Sequence, residues 1–546
     1  MKKFLFSLLI LSFAITGGAQ QNLPKFTKEI VRSNSDWLLY HVDQSAKLYN
    51  DENGNLVLSN GLVSRTFSVN PNGATIGLKH LQTGETFLRS VRPEAEVQID
   101  GITFEVGGLT GQPIHNYLLP EWIESMSANP ASFKLIDYKI DDTKERFAWK
   151  KRKEWMPKDM PWPPPVRELI FTSKLDEEAL KIWAERSVSD ESRKVLFSDS
   201  FEALHKNWNR FESKADARNS FINEGKAGEI MALANTAVFA DQAIIPGTKV
   251  FLAKINPGTD KSSSWGPGLG LGFPDKVIKI NLRPGNNEIG FYDGEQEKRI
   301  SDLESGKPVW LRIELQNNKL LASYSYNKTD WKNAGETTFR EKPAMVRLGK
   351  MDWSGKSSDH ANLGERGRSK IEEFYMLGEI PESVKSAGLK KYQYLKNITV
   401  NVHYELYDGL PVFSKWLTVE NKTGKTITIN SFKSEILAAT EPESTVDDRE
   451  HWMLPNITLE TDYNFGGMSS ENLMRSSIDW KQDPLYKTQV NYQRLMPVLL
   501  EVSPKYGPEQ EIQPGKSFSS YRVVGLLHVI WDRERTGLEH RRMMRP

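Results

Sequence analysis

The chain has 546 residues, and its 72 Lys and Arg against 71 Asp and Glu leave a net charge of +1, too little basic field for nucleic acid. Apolar residues at 38% and charged residues at 26% are the balance of a globular protein, long enough for about three domains with sizeable cores. The absence of cysteine excludes disulfide scaffolds, iron–sulfur clusters, thiolate zinc sites, cysteine nucleophiles and lipoprotein lipidation.

The first element in chain order is an address. Lys2 and Lys3 precede an apolar run from Phe4 to Ile15, and Gly17-Gly18-Ala19 follow with the small residues a signal peptidase needs. The run is shorter than the roughly 20 apolar residues of a spanning helix. Residues 1–19 are expected to be a bacterial signal peptide, cleaved after Ala19. The product is expected in the periplasm, on the cell surface or outside the cell. No later stretch is apolar enough to span a membrane. The sequons at Asn327, Asn397, Asn421 and Asn456 matter only in a eukaryotic secretory pathway.

Residues 20–194 then read as antiparallel β-structure. Asn60-Gly61 and Asp100-Gly101 sit between alternating apolar residues, the strongest short hairpin signal. ELIFTSKL (168–175) is a further strand. Residues 195–380 have a different texture, with strand-like runs such as KVFLAKINP, KVIKINLRPG and VWLRIELQNNKLLASYSY. Helix-tolerant charged stretches at 176–194 and 381–391 flank this block, the pattern of a domain inserted into a surface loop of another. Residues 381–530 return to the first style. Ile398, Val400, Val402 and Tyr404 alternate, Asp408-Gly409 turns the chain, and Val412 to Val419 run back. Further strands are expected over 423–437 and 495–527. Such spacing predicts a large sandwich, with the insert a smaller sandwich or jelly roll. Residues 531–546 (WDRERTGLEHRRMMRP) predict a helix, with Asp532/Arg535 and Arg535/Glu539 spaced for helical pairs. It is either a solvated terminal helix or a linker that packs on a further domain.

The search for chemistry returns few motifs. The nine histidines form no HxH or HExxH pair, and no nucleophile elbow or Walker loop occurs, so neither a metal nor a cofactor is expected. Gly266 to Gly272 reads GPGLGLG, but VIKINL follows. A dinucleotide loop must open a helix, so a glycine-rich strand is expected. Trp155 to Val166 (WMPKDMPWPPPV) is a stiff extended loop that either offers aromatic faces to a sugar or packs on its own sheet. Asp447-Asp448-Arg449-Glu450-His451-Trp452 is the densest polar-aromatic cluster. Carboxylates fix sugar hydroxyls and an indole stacks on the ring, although a plain charged hairpin loop has the same composition.

Several stretches together resemble a known family: NGLVSRTF (60–67), KHLQTGETFLRSVRPEAEVQIDGITFEVGGLTGQP (79–113), YLLPEW (117–122), VNVHYELYDGLPVFSKWLTVEN (400–421), DPLYKTQVNY (483–492) and the run from Pro514 to Arg545. They resemble the N-terminal region of large secreted bacterial proteins related to the α-galactosidases of glycoside hydrolase family 36. The resemblance implies an all-β fold, an antiparallel β-supersandwich interrupted by an inserted concanavalin-like jelly roll. It also implies a short C-terminal linker helix leading into a (β/α)₈ catalytic barrel. The family's two catalytic aspartates lie on barrel strands. A barrel needs about 250 residues, and the sandwich and insert use residues up to 530, so no catalytic residue is assigned to any position here. A sandwich loop can reach the active-site rim in this family. The substrate-binding candidates are Asp447, Asp448, Glu450, His451 and Trp452 of the cluster, with Asp483, Tyr486 and Tyr492.

Three readings follow. The chain is the non-catalytic N-terminal portion of an α-galactosidase-like hydrolase, its partners carbohydrate and a barrel following Pro546. Alternatively it is a stand-alone exported carbohydrate-binding protein that uses the jelly-roll insert. The third reading is a mutarotase-like or lyase-like enzyme on the supersandwich, with His403 and His451 as candidates, although the alternation makes His403 a solvated strand position. A homo-oligomer stays open.

Overall fold

The computed structural model describes residues 23–27, 35–143, 154, 166–223, 225–351, 365–462, 477–486 and 495–544. Residues 1–19, expected as a signal peptide, residues 155–165 of the Pro-Trp run and Tyr492 lie outside these residues. The chain forms two compact units, Met1–Ala184 with Leu389–Pro546, and Glu185–Gly388. The fold is all-β, and every ladder between its named strands is antiparallel.

In the first unit, Ile398–Tyr407 and Val412–Asn421 form the long hairpin at the centre of the largest sheet. Asp408 and Gly409 make its turn, where Gly409 takes a φ of 65° and the Asp408 carboxylate accepts from the Ala46 N–H at 2.7 Å. Val166–Lys174, Lys134–Asp142, Val523–Leu527 and Ile457–Thr461 extend this sheet on either side. Alternation sends Val400, Val402, Tyr404 and Leu406 into the core with Phe413, Leu417 and Val419 of the returning strand. The turn at Asn60 is not a surface hairpin tip. Asn60 is buried, its amide reaches the carbonyls of Tyr407 and Leu410, and its Oδ1 accepts from Leu62 and Val63. It therefore staples one hairpin to another. The helix Glu177–Arg186 contributes Ala179, Leu180 and Ala184 to the same core.

That core contains charge. Arg65, Lys415 and Glu435 occupy inward positions of their strands, in phase with Val63 and Phe67, with Phe413 and Leu417, and with Leu437. Arg65 meets Glu435 at 2.8 Å and Glu94 at 3.4 Å, and Lys415 meets Glu435 at 2.6 Å. Thr75 and Tyr404 both donate to Glu94, and the Arg65 guanidinium lies 5.0 Å from the Tyr404 ring centre. Burial alone would raise the Glu435 carboxyl. The Arg65 guanidinium and the Lys415 ammonium outweigh it and hold the group at about 2.

The second unit packs two sheets face to face. One runs Ser220–Asn223, Lys226–Leu233, Arg366–Leu377, Val250–Asn256, Val309–Gln316, Lys319–Ser325, Lys332–Thr338, with Val195–Asp199 also on Arg366–Leu377. The other runs Asn209–Glu212, Val238–Ala243, Met345–Lys350, Pro267–Gly272, Val277–Arg283, Glu288–Tyr292, Glu297–Ile300. Phe251, Ala253 and Ile255 of the first sheet share a core with Leu269, Leu271, Ile278 and Ile280 of the second. GPGLGLG is the strand expected. Its glycines serve close approach, because a Cβ on Gly268 would lie 2.5 Å from the Ile280 carbonyl oxygen, and one on Gly266 would lie 2.0 Å from that of Leu282. This unit's first and last segments pair with each other: the Lys194 N–H donates to Glu379 and the Gly378 N–H donates to Lys194.

The C-terminal helix, Arg533–Met543, starts where the Asp532 side chain accepts from the Arg535 N–H. It is not solvated all round. Met543 enters an apolar cluster with Trp37, Leu62, Val412 and Leu526, and Glu539 is fully buried. Arg535 holds Glu539 at 2.7 Å and grips both oxygens of Asp36 at 2.7 and 2.8 Å.

Candidate functional site

The edge strand Ile478–Lys481 pairs with Leu499–Val502, which pairs with Glu435–Ala439. Trp480 stands on that edge opposite Leu500. A 3₁₀ turn, Arg449–His451, brings Trp452 up beside it. The Trp452 indole N–H donates to the Asp447 carbonyl at 2.9 Å, and the Arg449 guanidinium lies 5.9 Å from its ring centre. Trp452 also packs against the buried set Tyr486, Met496 and Val498. Together Arg449, Trp452, Trp480, Lys481, Gln482 and Leu495–Pro497 border a cleft of about 630 Å³. That volume suits a small ligand. Its lining carries two indoles, the Arg449 guanidinium and the Gln482 amide.

Of the seven described residues expected to bind substrate, only Trp452 lines this cleft; Tyr492 lies outside the described residues. Asp447, Asp448, Glu450 and His451 are exposed on the same turn and point no carboxylate or imidazole into it. Asp483 is buried and bound by Arg89 at 2.6 Å and by Arg92. Burial would raise its carboxyl, but the two guanidinium groups hold it below the usual carboxylate range. Tyr486 is buried too, with its hydroxyl on Glu441 and the Arg89 guanidinium 4.1 Å from its ring centre. Asp483 and Tyr486 thus support the cleft from behind. Trp480 and Gln482 escaped the sequence reading because a short edge strand in SIDWKQD has no periodicity to expose. The one available signal was an aromatic residue just before the Asp483-Pro484 turn.

His403 needs a correction. It is not a solvated strand position, since its side chain is only 12% exposed. Nδ1 hydrogen-bonds Glu168 at 2.7 Å and Nε2 hydrogen-bonds Thr418 at 2.9 Å. The ring stacks on Trp416 at 4.6 Å with 9° between planes, and Arg522 lies 4.1 Å from the Trp416 ring centre. Alternation put His403 on the face away from the core, as expected, but its cross-strand neighbours cover that face. Both ring nitrogens are engaged, so the imidazole has no open edge to offer a substrate.

Within the second unit, Ser198, Asp199, His205, Lys206, Glu373 and Tyr375 border another cleft of about 660 Å³. Asp199 already accepts the Trp208 indole N–H and the Phe201 N–H, each at 2.8 Å, and Glu373 accepts the Tyr375 hydroxyl at 2.7 Å. Among the described residues no group of three or more His, Asp or Glu side chains is placed to hold a metal ion.

No family model matches the chain, and no curated protein does. The solved structures similar to it include a β-glucanase of Bacillus licheniformis, 12% identical over 34% of this chain and 98% of that one, with a TM-score of 0.25. The laminarinase catalytic domain from Thermotoga maritima is 10% identical over 35% of this chain and 99% of that one, with a TM-score of 0.26. A prokaryotic β-1,3-1,4-glucanase derived from a mouse hindgut metagenome is 12% identical over 34% and 99%, with a TM-score of 0.24. Likeness at this level says nothing about substrate or activity.

Proposed function

We propose that this chain is the non-catalytic N-terminal portion of an exported glycoside hydrolase resembling the α-galactosidases, and that its Trp452–Trp480 cleft engages the carbohydrate. The observation that carries the reading is two tryptophans lining one cleft together with Arg449 and Gln482. An indole face buries the apolar C–H face of a pyranose, and rim donors take its oxygens. Glycoside hydrolysis uses two carboxyl groups across the scissile bond. No carboxylate lines the cleft among the described residues, so the reading gives it binding without bond cleavage. A (β/α)₈ barrel is the partner this reading supplies for Trp531, Leu538 and Met544, which are 45%, 49% and 62% exposed on the C-terminal helix and just beyond its two ends.

The test pairs binding with turnover. Affinity electrophoresis in galactose-containing polysaccharide is expected to retard the chain, and Trp480→Ala is expected to weaken binding about tenfold. An aryl α-galactoside is expected to stay intact. Robust turnover would sink the non-catalytic reading, and unchanged retardation of Trp480→Ala would sink the cleft.

A second reading places binding on the insert, favoured by the cleft that Tyr375 borders. It requires Tyr375→Ala, and not Trp480→Ala, to abolish retardation.

A further inference from the structure

The cleft lined by Trp452 and Trp480 has charge of one sign. Arg449 and Lys481 belong to its lining, and among the described residues no Asp or Glu does. Beside the two indoles the wall is largely apolar, with Met453, Leu454, Met496 and Pro497.

The two cations are not equivalent. The Lys481 ammonium lies 2.6 Å from Glu501 on the neighbouring strand and 3.7 Å from Asp479 on its own, so its charge is already answered. Arg449 has no such answer. Among the described residues its guanidinium makes no hydrogen bond and no ion pair, and its contact is the Trp452 ring, 5.9 Å away at the centre. A ring face attracts a cation but gives its N–H groups no acceptor oxygen. Asp447, Asp448 and Glu450 share the turn with Arg449, but they are exposed and outside the cleft lining, where water and salt screen them. The guanidinium thus brings five N–H donors on a planar fork to an apolar-walled cleft. That fork fits the paired oxygens of a carboxylate or a sulfate ester.

We propose that this cleft takes an acidic saccharide, a sugar ring carrying a carboxylate or a sulfate ester, and that Arg449 is the residue that binds the anion. The inference rests on the reading that the cleft engages carbohydrate, and it narrows that reading from sugars in general to charged ones. The labour divides by chemistry. An indole stacks on the C–H face of a pyranose whether or not the ring is charged. The guanidinium discriminates: a neutral sugar offers it hydroxyl oxygens, whereas an acidic one completes a charge-assisted pair. Against apolar walls an anion without a partner is penalised. Removing the Arg449 charge should therefore abolish the preference for acidic sugars while leaving neutral ones bound as before.

Titration calorimetry on the whole chain tests this with α-1,4-linked trisaccharides of galactose, of galacturonate and of galactose 6-sulfate, which differ only at C6. At least one acidic probe is expected to bind about tenfold more tightly than the neutral one, an advantage that added salt erodes. The tighter of the two acidic probes tells carboxylate from sulfate. In Arg449→Gln, a change at an exposed position, the advantage is expected to vanish while neutral binding persists. Trp480→Ala is expected to weaken all three probes alike. Equal binding of the three, or an advantage that survives in Arg449→Gln, would overturn the acidic preference and leave the carbohydrate reading standing. No binding of any probe would overturn both.

Discussion

The two units solve the same packing problem with different materials. The outer sandwich places Arg65, Lys415, Glu435 and Glu94 within its core, where each cation faces a carboxylate. The insert carries less charge there: Lys350, in phase with inward Val346 and Leu348, is fully buried and paired with Asp260. Its buried Lys279 and Arg283 alternate with inward Ile278, Ile280 and Leu282, and its glycine row lets neighbouring backbone come close. The first core should therefore be the more sensitive to charge and the second the more sensitive to volume. Exchange measured separately on peptides from Glu185–Gly388 and from the rest tells them apart.

Acid should separate the units most. His80 has a depressed folded value near 4 against about 6.5 unfolded, so stability is lost as pH falls from 6.5 towards 4. Glu435 has a depressed folded value near 2 against about 4.5 unfolded, so its contribution is complete above 4.5 and is lost as pH falls towards 2. Each window is worth about 3 kcal/mol, and both groups lie in the outer sandwich. Urea midpoints followed from pH 7 to pH 2.5 should fall further for that unit than for the insert, where Asp190 is the buried carboxylate held low by Arg312 and Arg193. Parallel decline of both would erase the distinction.

Glu435→Gln comes next. It strips Arg65 and Lys415 of the nearer of their two shared carboxylates and should destabilise the outer sandwich by about 3–5 kcal/mol. A loss under 1 kcal/mol in urea unfolding would show that the network carries little. Gly268→Ala is the smaller, converse probe. Its methyl group would meet the Ile280 carbonyl and the Asn281 Cβ, both at 2.5 Å, and should cost the insert about 1–3 kcal/mol.

Much of the fold was legible because strands advertise themselves. The Asp408-Gly409 and Asp100-Gly101 turns, the GPGLGLG strand and the C-terminal helix each rest on a local pattern, and each is present. What local pattern cannot carry is partnership. Alternation already put Arg65 and Lys415 inward, but Glu435 lies 370 residues from Arg65. Only the folded chain brings them together. The candidate site was read less well for the same reason. The 447–452 cluster does border a cleft, but through Trp452 and Arg449 rather than through its carboxylates. Asp483 and Tyr486 turned inward once Arg89 was there to receive them. The covering of His403 by Trp416 and Glu168 likewise needs three strands in register.

The pairing of Lys194 with Glu379 and Gly378 means that the insert's chain ends emerge side by side. A module of that geometry is a cassette. It can be cut out between residues 194 and 378 and the gap bridged by a short linker. It can equally be grafted into another protein's surface turn, because a host loop gains only two neighbouring attachment points. Genetic gain or loss of the whole insert therefore asks almost nothing of the host's backbone, and homologous chains should differ here by all or nothing.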